Sequence, residues 1–129
     1  MAHGGKIAIL DDDAGVLAAL TSLVRSLGFE ARAYACAEDF LRDPDGDPDC
    51  LISDIEMPGL TGDALQVALI AAGRRIPMNF MTAFARPAVR ERVLAAGAVA
   101  FLEKPVDGEA IAAHLAVVLA RRDPPHTLV

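Results

Sequence analysis

Short apolar runs alternate with helix-periodic segments along the chain. Lys6 to Leu10 (KIAIL) is an apolar run that stops at Asp11-Asp12-Asp13. Its length and β-branched content predict a buried strand. From Ala14 to Leu27, the residues Leu17, Leu20, Val24 and Leu27 recur at helical spacing, and Gly28 follows as a C-cap. Phe29 to Ala35 reads as a second strand and Cys36 to Leu41 as a short helix. Asp43 to Asp49 (DPDGDPD) is a polar loop of turn formers. Cys50 to Ile55 (CLISDI) predicts a third strand, with an acid, Asp54, near its end. Met57-Pro58-Gly59 with Gly62 predicts a turn, and Asp63 to Ala72 a helix. Ile76 to Met81 reads as a fourth strand. Arg86-Pro87 places a proline in the first turn of a helix that ends at Gly97. Ala98 to Leu102 predicts a fifth strand. Gly108 to Arg122 predicts a last helix with Ile111, Leu115, Val118 and Leu119 on one face.

Five strands alternating with five helices imply an α/β fold, a doubly wound and mainly parallel five-stranded sheet covered on both faces. The predicted organisation is an N-terminal tail over residues 1–5, one domain over 6–122, and a C-terminal tail or linker remnant over 123–129. In open sheets of this type, ligands bind at the carboxyl ends of the strands, near the point where strand order reverses. The polar residues that follow the strands are therefore the candidates for function.

Composition narrows the field without naming a function. A chain of 129 residues is one domain, and 53% hydrophobic with 23% charged residues is a globular composition. The net charge of −6 argues against direct binding to nucleic acid, because no basic stripe is available for phosphates. Cys36 and Cys50 are too few for a disulfide framework and match no metal-ligand spacing. Residues 1–6 carry no apolar signal-peptide core, and no apolar run reaches membrane-spanning length. The expectation is a soluble, cytoplasmic protein with no membrane partner.

The first strand ends in Asp11-Asp12-Asp13. The third carries Asp54, with Glu56 after it. The fourth ends at Thr82, and the fifth leads into Glu103-Lys104-Pro105. Several acids, a hydroxyl and an ammonium thus converge on one edge of the sheet. Clustered carboxylates repel unless a cation sits among them. Oxygen ligands without histidine or cysteine favour a hard cation, with magnesium the expected one. A carboxylate in such a site can act as a nucleophile toward phosphorus. Metal, hydroxyl and lysine would share the charge on the transferring oxygens. The pattern points to phosphoryl transfer onto an aspartate.

LDDD, ISDIEMPGLTG, MTA and LEKP stand in the order and spacing of the receiver domains of two-component response regulators, and the chain resembles that family over about residues 6 to 121. Ala35-Cys36-Ala37-Glu38-Asp39-Phe40-Leu41 and AGAVAFLEKP are similar to receivers of the branch that often carries a LuxR-type DNA-binding domain. The resemblance implies the flavodoxin-like receiver fold. It makes Asp54 the phosphoacceptor, with magnesium held by Asp12 directly, by Asp11 mainly through water, by Asp54 and by the backbone carbonyl of Glu56. Thr82 would hydrogen-bond the phosphoryl group, the small Ala83 would leave room for it, and Lys104 would pair with it. Phe101 matches the aromatic that changes rotamer with Thr82. Lys104-Pro105 matches the family's cis peptide. The implied partners are a sensor histidine kinase or a histidine phosphotransfer protein, and a downstream protein or an output domain of a longer chain. A phosphorylation-dependent homodimer would use the face of the fourth helix, fifth strand and fifth helix. The chain would then be a signalling switch and not an enzyme, supporting only its own phosphorylation and dephosphorylation.

Some residues stand apart. Glu56 and Phe84, each two positions beyond a key residue, occupy places whose side chains tune dephosphorylation in this family. Asn79 is a polar residue inside a buried strand and needs hydrogen-bond partners. Asp13 reads as the N-cap of the first helix. His3, His114 and His126 carry no role, with His114 expected on the solvated side of the last helix. Asp45, Asp47, Asp49 and Glu56 mimic part of a calcium loop, but Cys50 stands at its obligatory glycine and an apolar strand follows. Two other functions compete. One is a receiver-like module that binds a partner without phosphorylation. The other is a haloacid-dehalogenase-like phosphatase, whose D-x-D motif Asp11 and Asp13 would match, although Gly15 stands where threonine or valine is usual.

Overall fold

The computed structural model describes residues 5–45 and 47–122, with side chains described through residue 117. Five strands are present among them: β1 (Lys6–Leu10), β2 (Glu30–Tyr34), β3 (Cys50–Asp54), β4 (Met78–Thr82) and β5 (Ala100–Glu103). The helices are α1 (Ala14–Ser26), α2 (Ala37–Arg42), α3 (Gly62–Ala71), α4 (Pro87–Ala95) and α5 (Gly108–Arg122). The sheet order is β2-β1-β3-β4-β5, and every neighbouring pair is parallel. The chain leaves β1 toward β2 on one side and returns to β3 on the other, so the switch in strand order falls between β1 and β3.

Burial explains the sequence pattern. The central strands β3 and β4 are buried at every position, and β1 at all but its first, so they read as continuous apolar runs. The edge strand β2 buries Ala31 alone and carries Glu30 and Arg32, charges that protect an unpaired edge. One layer of core lies between the sheet and α1 and α5, built on Ile7, Ile9, Leu20, Val24, Ile52, Met81, Ile111 and Leu115. The other lies under α2, α3 and α4, built on Leu10, Phe40, Leu51, Leu65, Leu69, Phe80 and Val93. Ile111 and Leu115 thus lie on the buried face of α5 as the periodicity predicts. The side chains of Val118 and Leu119, with His3 and His126, lie outside the described residues.

The element boundaries differ from the sequence reading by one or two residues at several ends. β4 starts at Met78, not Ile76, because Pro77 has no N–H for the ladder. Cys36 precedes α2 in extended conformation and is not part of it. β5 starts two residues late, since Ala98 N–H bonds back to Val93 O and closes the end of α4. Gly5, read as tail, is buried, and its carbonyl accepts the Glu30 N–H at 2.9 Å. Among the described residues no helix is long and apolar enough to cross a membrane.

The helices are anchored unequally. α4 has one buried residue, Val93, near its C-terminal end. The buried amide of Gln66 on α3 donates to Val93 O at 3.0 Å, and Arg92 pairs with Asp63 of α3 at 2.6 Å. At the other end Arg86, the N-cap residue, makes no side-chain capping bond.

Candidate functional site

Parallel strands bring their carboxyl ends to one edge, and four polar side chains meet there. Asp11 follows β1 and is fully buried, Asp54 ends β3 and is buried, and Thr82 ends β4 and is fully buried. Lys104 follows β5, and its N–H donates to Thr82 O at 2.8 Å. Its ammonium lies 2.9 Å from Asp11 Oδ2 and 3.2 Å from Asp54 Oδ2. Asp11 Oδ1 accepts the Asp13 N–H at 2.8 Å. Asp54 Oδ1 is buried without a hydrogen-bond partner. Asp12 is exposed, and oxygen atoms of Asp11, Asp12 and Asp54 lie within 4.8 Å of one another.

The charges are frustrated. Burial pushes the Asp54 carboxyl up to about 6, the Asp11 charge adds to that, and Lys104 opposes it. Burial pulls the Lys104 ammonium down, but the bond to Asp11 and the charge of Asp54 outweigh it, so its net shift is upward. One ammonium faces three carboxylates. Oxygen-only donors, excess negative charge and an orphaned buried oxygen on Asp54 fit a hard divalent cation.

Thr82 is held by two bonds. Its hydroxyl donates to Glu56 Oε1 at 2.7 Å and accepts the Phe84 N–H at 3.0 Å. The other oxygen of Glu56, Oε2, is buried without a hydrogen bond, with Arg86 at 3.9 Å. Ala83 and Phe84 are on the surface, with Phe84 67% exposed. Phe101 is half-buried, sits opposite Phe80 in the β4–β5 register and packs against the core under α2, α3 and α4. The Lys104–Pro105 bond is cis.

Residues that sequence reasoning passed over shape the loop after β3. Glu38 of α2 accepts the Leu60 N–H through Oε2 at 3.0 Å. That oxygen lies against Gly59, whose φ of 77° suits glycine, and a β-carbon there would sit 2.5 Å from it. Gly62 leaves no room for a β-carbon at all, since it would overlap the backbone oxygen of Asp54 and stand 3.1 Å from its carbonyl carbon. The MPGLTG stretch carries the signal for these contacts, but the partner on α2 has none.

Other candidates lie elsewhere. Asp13 Oδ1 accepts the Gly15 and Val16 N–H groups at 2.8 and 3.1 Å, so it caps α1 and is occupied there. The acids of the 43–49 loop scatter: Asp45 pairs with Arg32, Asp47 with Arg74, and Asp49 accepts the Lys6 N–H. Asn79 faces the α1–α5 layer and donates to Cys50 Sγ at 3.0 Å, while its own oxygen is buried without a partner. Burial raises the Cys50 thiol to about 12, so it is inert at neutral pH. His114 is half-buried, at the edge of the face of α5 that carries the buried Ile111 and Leu115.

Comparison with known proteins places this site in context. Residues 7–116 match the family model described as the response regulator receiver domain. The chain is 40% identical over 100 residues to the response regulator protein TodT of Pseudomonas putida, covering 77% of this chain and 44% of that protein. It is 31% identical over 125 residues to the transcriptional regulatory protein FixJ of Bradyrhizobium diazoefficiens, covering 96% of this chain and 61% of FixJ. The structure of full-length FixJ from B. japonicum superposes with a TM-score of 0.86 at 30% identity, over 96% of this chain and 61% of that one. The response regulator StyR superposes with a TM-score of 0.80 at 36% identity, over 92% and 63%. The chain spans about half the length of the curated relatives it matches. Motifs, sheet order and family model agree: the chain belongs to the receiver domains of two-component response regulators.

Proposed function

We propose that this domain is a phosphorylation-controlled switch with Asp54 as phosphoacceptor. A carboxylate oxygen of Asp54 attacks the phosphorus of a phosphohistidine on a sensor kinase or histidine phosphotransfer protein. A P–O bond forms, the P–N bond breaks, and the freed imidazole nitrogen takes up a proton. The observation that carries this reading is the buried Asp54 side chain, one oxygen against Lys104 and the other without a partner, beside Asp11 and Asp12. Asp11, Asp12, Asp54 and the backbone carbonyl of Glu56 would hold magnesium, which supplies positive charge against the phosphoryl oxygens when bound. Lys104 pairs with the phosphoryl group, Thr82 turns its hydroxyl to it beside the small Ala83, and Phe101 changes rotamer with Thr82. The face of α4, β5 and α5 then shifts between two populations and binds a downstream protein, an output domain or a second copy. Relatives named as transcriptional regulators support an output domain in a longer chain.

The test is intact-protein mass spectrometry after incubation with magnesium and acetyl phosphate, with Asp54→Asn in parallel. An alkali-labile adduct on the parent and none on the variant is the expected result. An adduct on neither would leave a phosphorylation-independent binding module as the better reading. Release of phosphate from a small ester at catalytic turnover would point to a phosphatase instead, a reading that the capping role of Asp13 disfavours.

A further inference from the structure

We propose that Glu56 is a positioning residue that latches Thr82 in the resting state, so that a phosphoryl group on Asp54 must compete with a carboxylate for the one proton of the Thr82 hydroxyl. This rests on the reading of Asp54 as phosphoacceptor. A threonine hydroxyl has a single O–H to donate. Here it goes to Glu56 Oε1 at 2.7 Å, a charge-assisted bond of the stronger class. The hydroxyl also accepts the Phe84 N–H. Thr82 is fully buried, so water does not stand in for either partner. None of its bonds reaches Asp54, whose Oδ1 has no partner and whose Oδ2 faces Lys104.

Two consequences follow from the charge of Glu56. A phosphoryl group and the Glu56 carboxylate are both anions seeking the same donor, so the exchange of Thr82 from one to the other is a two-state choice and not a graded one. Once released, Glu56 has a nearest cation in Arg86, already 3.9 Å from Oε2, and Arg86 is the N-cap residue of α4. Glu56 therefore stands between the hydroxyl at the end of β4 and the beginning of α4. The latch raises the threshold for the activated state and passes its release to that helix.

The experiment is a double-mutant cycle on the whole chain, read by the affinity for beryllofluoride with magnesium as a phosphoryl mimic. Glu56→Ala is expected to tighten binding roughly ten-fold when Thr82 is present, and to change it little in a Thr82→Val background. Equal tightening in both backgrounds would mean charge repulsion alone and would overturn the latch, as would no tightening in either. A second readout needs no phosphoryl mimic. The χ1 rotamer of Thr82, from methyl three-bond couplings in the resting protein, is expected to be single in the parent, averaged in Glu56→Ala and restored in Glu56→Gln, which keeps an acceptor oxygen. A rotamer unmoved by Glu56→Ala overturns the proposal. Failure of the parent to bind beryllofluoride would count against Asp54 as phosphoacceptor, and the rotamer would still decide the latch.

Discussion

Gly62, the first residue of α3, lies against the backbone carbonyl of Asp54, the last residue of β3, with no room for a side chain between them. The Gly62 N–H also donates to Ile55 O at 2.8 Å. The helix start is thereby seated directly on the strand that carries the proposed phosphoacceptor. Gly62→Ala must push backbone against backbone, and overpacking of that kind costs on the order of 3 kcal/mol. Urea denaturation should show the loss, and magnesium affinity should fall with it. An unchanged midpoint would mean that the loop yields without cost.

Asp54 sets a pH dependence whose sign is the reverse of the usual salt-bridged aspartate. Its ordinary value is 3.8, and the folded protein raises it to about 6. Between these values the folded state holds more proton than the unfolded one, so stability falls as pH rises through the window. Above about pH 6 the penalty is complete, on the order of 3 kcal/mol. Asp54→Asn carries no such charge. In magnesium-free buffer the variant should gain on the parent steadily from about pH 4 to about pH 7. A constant difference across that range would contradict the assignment.

Lys104 is the one cation between Asp11 and Asp54 among the described residues. Lys104→Met leaves two buried carboxylates facing each other, and removing one partner of such a group costs about 3 kcal/mol or more. The loss should be largest near pH 8 with chelator and smaller near pH 5, where Asp54 takes up a proton. Added magnesium should recover part of it. Denaturation curves under the three conditions measure all of this.

Phe84 presents an exposed ring beside the site while its backbone N–H holds Thr82. Its place two residues beyond Thr82 motivates the prediction that the ring hinders a water approaching a phosphoryl group on Asp54. Phe84→Asn removes that bulk and keeps the backbone bond. Loss of radiolabelled phosphate from the phosphorylated variant should be several-fold faster than from the parent. An equal rate removes Phe84 from the control of lifetime.

Much of this was legible in the chain because two kinds of signal are strong in it. Buried strands such as CLISDI are continuous apolar runs, and the acids that follow them stand where parallel strands deliver them to one edge. Periodicity placed α1 and α5, and Asp13 announced the start of α1. The signal is weaker where a contact depends on a partner distant in sequence. Thr82 and Glu56 are 26 residues apart, and nothing local shows that their side chains meet. Glu38 reads as an ordinary first-turn acid until the loop around Leu60, 22 residues on, folds over it. Asn79 inside a buried strand needs partners, yet its partner is a thiol, the least expected acceptor.

The uneven anchoring of α4 makes that helix a lever. Its fulcrum is Val93, fixed by burial, by the Gln66 amide and by the neighbouring Arg92–Asp63 pair. Pro87, at the tip beside the acidic edge, is six residues away, an arm of about 9 Å at the helical rise. A turn of about 10° at the fulcrum would carry the tip through roughly 1.5 Å on that arm, while the bond at Val93 stays in place. Amide exchange should therefore run as a gradient, fast at the tip and slow at the fulcrum, with the moving end the one that adjoins Glu56 through Arg86.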